Sequence, residues 1–286
     1  MIYLFLSIIC SVAVGILLKI AKKHNNTAFF QMIGWNYFFA AVFCFAVYRP
    51  EMSLPTNIPY ETFLPLMILL PTIFLIQANS IKHTGIVRTD IAQRLSLIIS
   101  LSAAYVIFKE NISALKFSGL VIGLISIFFV LSREKTNGQI SGYWYLPAAV
   151  LVGFGMIDIF FKKVALFTSL QYTSSLFLIF CGAFSLSVLI ILFQIIFQKQ
   201  KLNLKNLYWG AGLGILNFGN ILFYLRAHKI LKDNPSTVFA CMNFGVIILG
   251  SLVGIAIFKE RLSKINYLGL VLAIVAVVVI TIAQNS

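Results

Sequence analysis

Asp90, Gln93 and Arg94 put a carboxylate, an amide and a guanidinium within five residues of one another inside an apolar stretch. Asp90 and Arg94 are four apart, so they share a helical face and can pair. Gln93 adjoins that face. Arg94 is the most deeply placed basic residue of the chain, and a guanidinium there suits a carboxylate or phosphate partner. On that reading Arg94 binds substrate and Asp90 orients it. A structural ion pair at a wet helix end fits the same spacing, because a paired charge costs less to bury than a lone one. Asp158 and Lys162 repeat the spacing near the end of a later stretch, with Lys163 adjacent. There the simpler expectation is a helix-end pair whose lysines reach toward water. A proton-coupling role for Asp158 is the alternative.

Uncharged polar residues form a second group. They are Trp35 and Asn36, Gln77 and Asn79, Asn217 and Asn220, and Asn243. Amides accept either sign of substrate group, and they also join helices to one another. Trp35, Asn36, Gln77, Gln93, Asn217, Asn220 and Asn243 are therefore candidates both for substrate contact and for interhelical bonding. Enzyme motifs are missing from the sequence. His24, His83 and His228 fall near helix ends without an H-E-x-x-H spacing, and there is no G-x-S-x-G, P-loop or dinucleotide fingerprint. Cys10, Cys44, Cys181 and Cys241 show neither C-x-x-C nor a zinc spacing. The reading expects no catalytic residue, no metal and no cofactor, and transport driven by a gradient or by exchange.

The elements that carry these residues follow from composition. The chain is 60% hydrophobic and 10% charged, with a mean hydropathy of +0.97. A soluble domain carries about 25% charged residues. This points to an all-α integral membrane protein, multi-pass, in the cell (inner) membrane. A spanning helix needs about 20 apolar residues. Ten stretches qualify: 2–20, 28–48, 62–81, 86–107, 114–132, 141–163, 170–197, 207–229, 234–257 and 264–283. The net charge of +14 does not signal nucleic acid, because Lys and Arg sit in short clusters between apolar runs, where they meet lipid headgroups. The expected partners are the bilayer and a small-molecule substrate. Asn234-Pro235-Ser236 reads as a helix start with Asn as cap and Pro at the first position. Pro71 should kink the third helix.

One stretch occurs twice. Phe108-Lys109-Glu110 begins a fourteen-residue run that matches the run from Phe258-Lys259-Glu260 at seven positions, at an offset of 150. This is an internal duplication. It divides the chain into residues 1–137 and 138–286, five helices each. An odd number per half makes the second half enter the membrane inverted, as in many secondary transporters with a site between repeats. The offset pairs Gln93 with Asn243, but Arg94 with Phe244. Lys109 with Glu110, and Lys259 with Glu260, are expected to tether their turns. Gly119 with Gly123, and Gly269, form small-residue faces that suit close helix packing. They are also the faces through which a homodimer would form.

Ten helices in two halves, each with a Glu110…Gly119 or Glu260…Gly269 signature at the same place, resemble the drug/metabolite transporter superfamily, EamA-like branch. The resemblance covers nearly the whole chain. It implies secondary transport or export of small metabolites such as amino acids, a central cavity walled by helices 1–4 and 6–9, and both termini in the cytoplasm. Many members carry an Arg in helix 2, whereas residues 31–38 here hold no basic residue. The charge count opposes the implied orientation: thirteen Lys and Arg fall in odd-numbered connections and eight in even-numbered ones. The expected function is a transporter of an amino acid or organic anion. The alternative is a flippase for a phospholipid or phospho-polyprenol, with Lys19, Lys162 and Lys163 along a lateral opening.

Overall fold

The computed structural model describes residues 1–23, 29–50, 59–131, 142–199, 201–259 and 262–285. It contains ten helices: α1 (Ile2–Lys23), α2 (Phe29–Tyr48), α3 (Tyr60–Thr84), α4 (Ile86–Val106), α5 (Ala114–Leu131), α6 (Tyr145–Leu166), α7 (Tyr172–Gln198), α8 (Lys205–Ile230), α9 (Pro235–Ala256) and α10 (Lys264–Asn285). No strand occurs among the described residues. The hydrocarbon core offers no water to backbone polar groups, so helices, which satisfy them internally, are the expected elements. The observed bounds lie within a few residues of those read from hydropathy. Seven helices are long and apolar enough to cross a membrane. The other three, α4, α6 and α8, carry Arg94, Asp158 and the Asn217–Asn220 pair. α3 continues past both Pro65 and Pro71.

Helix pairing follows a rule. α1 packs on α8 and α9, as α6 packs on α3 and α4; α2 packs on α8, as α7 packs on α3. Adding five to each helix number, counted around ten, turns each of these pairings into another. α2–α7, α4–α9 and α5–α10 map onto themselves.

Contacts define the two ends of the bundle. At one end the Arg226 guanidinium lies 5.1 Å from the Tyr3 ring centroid and bonds the Tyr172 hydroxyl, and Lys162 bonds the Lys232 carbonyl. Glu110 and Ser236 meet at this same end. At the other end Lys19 sits over the Phe258 ring, Gln31 bonds Asn206, and Asn266 bonds the carbonyls of Phe129 and Val130.

The small-residue faces are spent inside the chain. A Cβ on Gly119 would meet Ile280 Cγ1 at 2.9 Å, and one on Gly269 would meet Phe129 Cβ at 2.8 Å. Those partners are again offset by about 150 residues. A Cβ on Gly123 would run into the Phe244 ring. The glycines allow α5, α10 and α9 to approach one another closely within the chain.

The two Phe-Lys-Glu corners share a backbone. Lys109 and Lys259 both adopt positive φ, 54° and 53°. A left-handed residue ends a helix by turning the chain off its axis. Glu260 lies outside the described residues. At the first corner the tether differs from the expected one. Glu110 pairs with Lys116 rather than Lys109, and both are buried. Its other bonds reach α9: Oε2 accepts the Ser236 backbone N–H at 2.8 Å, and Oε1 accepts the Ser236 hydroxyl at 2.6 Å. Asn234 makes no side-chain cap. Its Oδ1 instead accepts from Lys116 Nζ at 2.9 Å. An anion at the first turn of a helix meets unpaired N–H groups and the positive end of the macrodipole. Glu110 therefore caps α9 from a distant part of the chain.

Candidate functional site

A cavity of about 170 Å³ lies where α3, α4, α6, α8 and α9 converge, with Ser11 of α1 and Tyr37 of α2 completing its wall. The three helices outside the seven candidate spans, α4, α6 and α8, all contribute. Gln93, Arg94 and Ser96 come from α4 and Asp158 from α6. Asn217, Asn220 and Tyr224 come from α8, and Asn243 from α9. The remaining wall is apolar. Leu70, Ile73 and Phe74 supply it from α3, and Phe154, Ile157 and Phe161 from α6.

Asp158 is held by two hydroxyls. Its Oδ1 accepts from Tyr224 at 2.8 Å and its Oδ2 from Ser100 at 2.9 Å. One donor belongs to α8 and the other to α4, so the carboxylate joins three helices. Both donors are neutral. The expected Asp158–Lys162 pair does not form. Lys162 is fully buried and donates to the carbonyls of His228, at 3.3 Å, and Lys232, at 2.7 Å. Those carbonyls close the C-terminal end of α8, where a cation is favoured. Lys162 thus neither pairs with Asp158 nor reaches toward water.

Arg94 lines the cavity, and the Asp90 charge acts on it from one turn away. Asp90 itself is not in the wall. Phe244, which the offset pairs with Arg94, is fully buried against Gly123. The halves therefore differ where the sequence differs. Gln93 and Asn243 both face the cavity. Gln93 also accepts from Gln77 at 2.7 Å, and Asn243 donates to the Phe239 carbonyl at 3.1 Å. Asn220 Oδ1 accepts the Ser7 hydroxyl at 2.8 Å.

Three expected contacts lie elsewhere. Gln77 stands behind Gln93. Trp35 and Asn36 belong to the α2–α8 interface, where Gly210 and Gly214 approach them closely. The Asn36 amide is fully buried and has no hydrogen-bond partner among the described residues. On α2 the Trp35 Cβ faces Gly210 and the Asn36 carbonyl faces Gly214, both of α8. Conversely, Tyr37, Ser11, Ser96, Ser100 and Tyr224 were not singled out. A signal existed for two of them. Tyr224 continues the helical face of Asn217 and Asn220, and Ser96 continues that of Gln93.

The three lysines proposed for a lateral opening do not share one end of the bundle. Lys19 and Lys162 sit at opposite ends of the bundle, and Lys163 packs by the Phe160 ring. A second, larger cavity of about 410 Å³ opens between α1, α9 and α10. Met1, Phe5, Ile8 and Leu252 are among its lining residues, and no Lys or Arg is.

Comparison with known proteins agrees with this architecture. The family model of the EamA-like transporter family matches residues 1–132. An uncharacterized protein of Haemophilus influenzae is 37% identical over 96% of this chain and 95% of its own length. A solved crystal structure superposes with a TM-score of 0.76, covering 99% of this chain and 97% of the other at 11% identity, which shows a shared fold. A helical bundle with several membrane-spanning helices and an interior polar cavity, matched by that family over its first five helices, is a multi-pass membrane protein that belongs to the EamA-like transporter family, whose members are membrane transporters of small molecules rather than enzymes.

Proposed function

We propose that the protein is a secondary transporter of a small polar metabolite, an amino acid or organic anion, working by alternating access of two inverted five-helix repeats in the cell (inner) membrane. The observation that carries this reading is the convergence of Arg94 and Asp158 on one small cavity walled by helices of both halves. Charged groups inside a membrane are costly, and they persist where they face a pathway. Arg94 would receive a carboxylate, with Asp90 one turn behind it. Asp158 would receive an ammonium or take up a coupling proton. The amides of Gln93, Asn217, Asn220 and Asn243 would bond the remaining polar atoms. The apolar wall from α3 and α6 would accept a modest hydrocarbon portion.

Support for the two repeats, 1–137 and 138–286, comes from the pairing rule and from the ends. Tyr3 at the start of α1 and Lys162 near the close of α6 lie at the same end. Equivalent helices then run in opposite directions. The family match ends at residue 132, close to the proposed join. The join itself lies outside the described residues.

The test is uptake or efflux by proteoliposomes across a panel of amino acids, organic anions and nucleosides, with Arg94→Ala as control. Movement of one panel member that Arg94→Ala abolishes is the expected result. A panel with no transported member, or equal transport by Arg94→Ala, removes the reading or the role of Arg94 respectively.

A further inference from the structure

We infer that Glu110 is the latch of a gate sealing the cavity from its own end of the bundle, and that the arrangement described above is the state closed there. The inference builds on alternating access, but it stands on separate observations.

The first is an asymmetry of burial along α9. Every residue from Pro235 to Cys241 is buried. Beyond that segment come the cavity residues Met242, Asn243 and Val246. One turn further, a Cβ on Gly250 would meet no atom within 4 Å. Burial along α9 is therefore continuous between the cavity and the Glu110 end, and interrupted toward the Lys19 end, where Ile247 and Gly254 are buried and the residues between them are not.

The second is a plug. Lys162 stands one turn past Asp158 on α6, and His228 one turn past Tyr224 on α8. Phe239 stands one turn before Asn243 on α9. All three are 0% exposed. The His228 ring packs between Tyr224 and Phe239, at centroid distances of 4.6 and 4.8 Å. Three of the cavity helices, α6, α8 and α9, thus continue directly into the seal.

The third is the seam that must part for the seal to open. The start of α9 lies against the α4–α5 corner, and two of the polar bonds crossing that seam end on one carboxylate while a third comes from the lysine it holds. Glu110 accepts both Ser236 donors and holds Lys116, which in turn bonds Asn234. At the Lys19 end, among the described residues, Gln31 ties α2 to the start of α8, Asn266 ties α10 to the end of α5, and the Lys19 ammonium lies over the Phe258 ring just past α9. Opening at the Glu110 end requires the first turn of α9 to lose its anionic cap and Glu110 to lose both Ser236 bonds. These losses raise the energy of the opened state, so the latch biases the bundle toward this closure.

The test needs no substrate. A cysteine-free background with Val246→Cys places one thiol in the cavity. The reconstituted protein is treated with a membrane-impermeant maleimide from each membrane face in turn. Labelling is expected from the Lys19 face and to be slow from the Glu110 face. Glu110→Gln should raise the Glu110-face rate about tenfold or more, as the open population grows. Ser236→Ala, which keeps the backbone N–H bond, should raise it less. Ser236→Ala serves alone if Glu110→Gln does not fold. Unchanged rates in a folded variant, or equal labelling from both faces before mutation, overturn the latch. Because no transported molecule is involved, a failed uptake panel leaves this result intact, and a failed latch leaves the transport reading intact.

Discussion

The carboxylate of Glu110 accepts the backbone N–H of Ser236, 126 residues away, at 2.8 Å. A side chain from the corner after α4 therefore caps a helix of the other half. Lys116 neutralises it from one turn into α5. Removing one partner of a buried pair leaves an uncompensated charge, which costs about 3 kcal/mol or more. Lys116→Met should accordingly lower the melting temperature in detergent more than Glu110→Gln does. The double variant should recover part of the loss, since neither charge is then stranded. A double-mutant cycle with no coupling would show that the pair contributes nothing.

Asp158 offers a contrast between charge and geometry. Asp158→Asn keeps one acceptor oxygen for Tyr224 or Ser100, turns an N–H donor toward the other hydroxyl, and removes the charge. If the carboxylate meets a cationic group of the substrate, KM should rise by about tenfold or more, the scale of one charged hydrogen bond. Tyr224→Phe and Ser100→Ala keep the charge and loosen its position, so their effects should be smaller. Transport kinetics of the four proteins decide the order. An unaltered Asp158→Asn would exclude a role for the charge.

Arg94→Lys and Arg94→Ala should not be equivalent. Lysine keeps the charge but loses the planar fork, so it should retain weak binding where alanine retains none. Thermal shift with the transported panel member reads this directly. Equal shifts in both variants and the parent would acquit Arg94.

Asn36 should prove dispensable. Its buried amide has no hydrogen-bond partner among the described residues, and it sits in the α2–α8 interface. Replacing such a group by an apolar one of similar size is close to neutral or stabilising. Asn36→Leu is expected to keep transport and melting temperature within about 1 kcal/mol of the parent. A large loss of transport would return Asn36 to the pathway.

Gly123 should tolerate nothing larger. A Cβ there would enter the Phe244 ring. Overpacking of this kind costs about 1–3 kcal/mol. Gly123→Ala should lower the melting temperature, and Phe244→Leu should partly rescue it. Failure of the rescue would place the strain elsewhere.

Much of the architecture was legible in the sequence because hydropathy is a local property. Ten apolar runs of spanning length gave ten helices at nearly the expected bounds, and the Phe-Lys-Glu repeat marked two corners that do share a left-handed lysine. Arg94, Gln93, Asn243, Asn217 and Asn220 were also findable, since an isolated polar residue in an apolar run has few reasons to be there. What only the tertiary structure decided was direction. Spacing makes Asp158 and Lys162 look like partners, yet the carboxylate turns to the cavity and the lysine to the end of α8. Trp35 and Asn36 look like pathway residues, yet their face meets α8. Glu110 looks like the tie of its own turn, yet it caps α9. Helical periodicity says which residues share a face; which neighbour that face meets depends on packing between segments more than a hundred residues apart, and no local pattern records it.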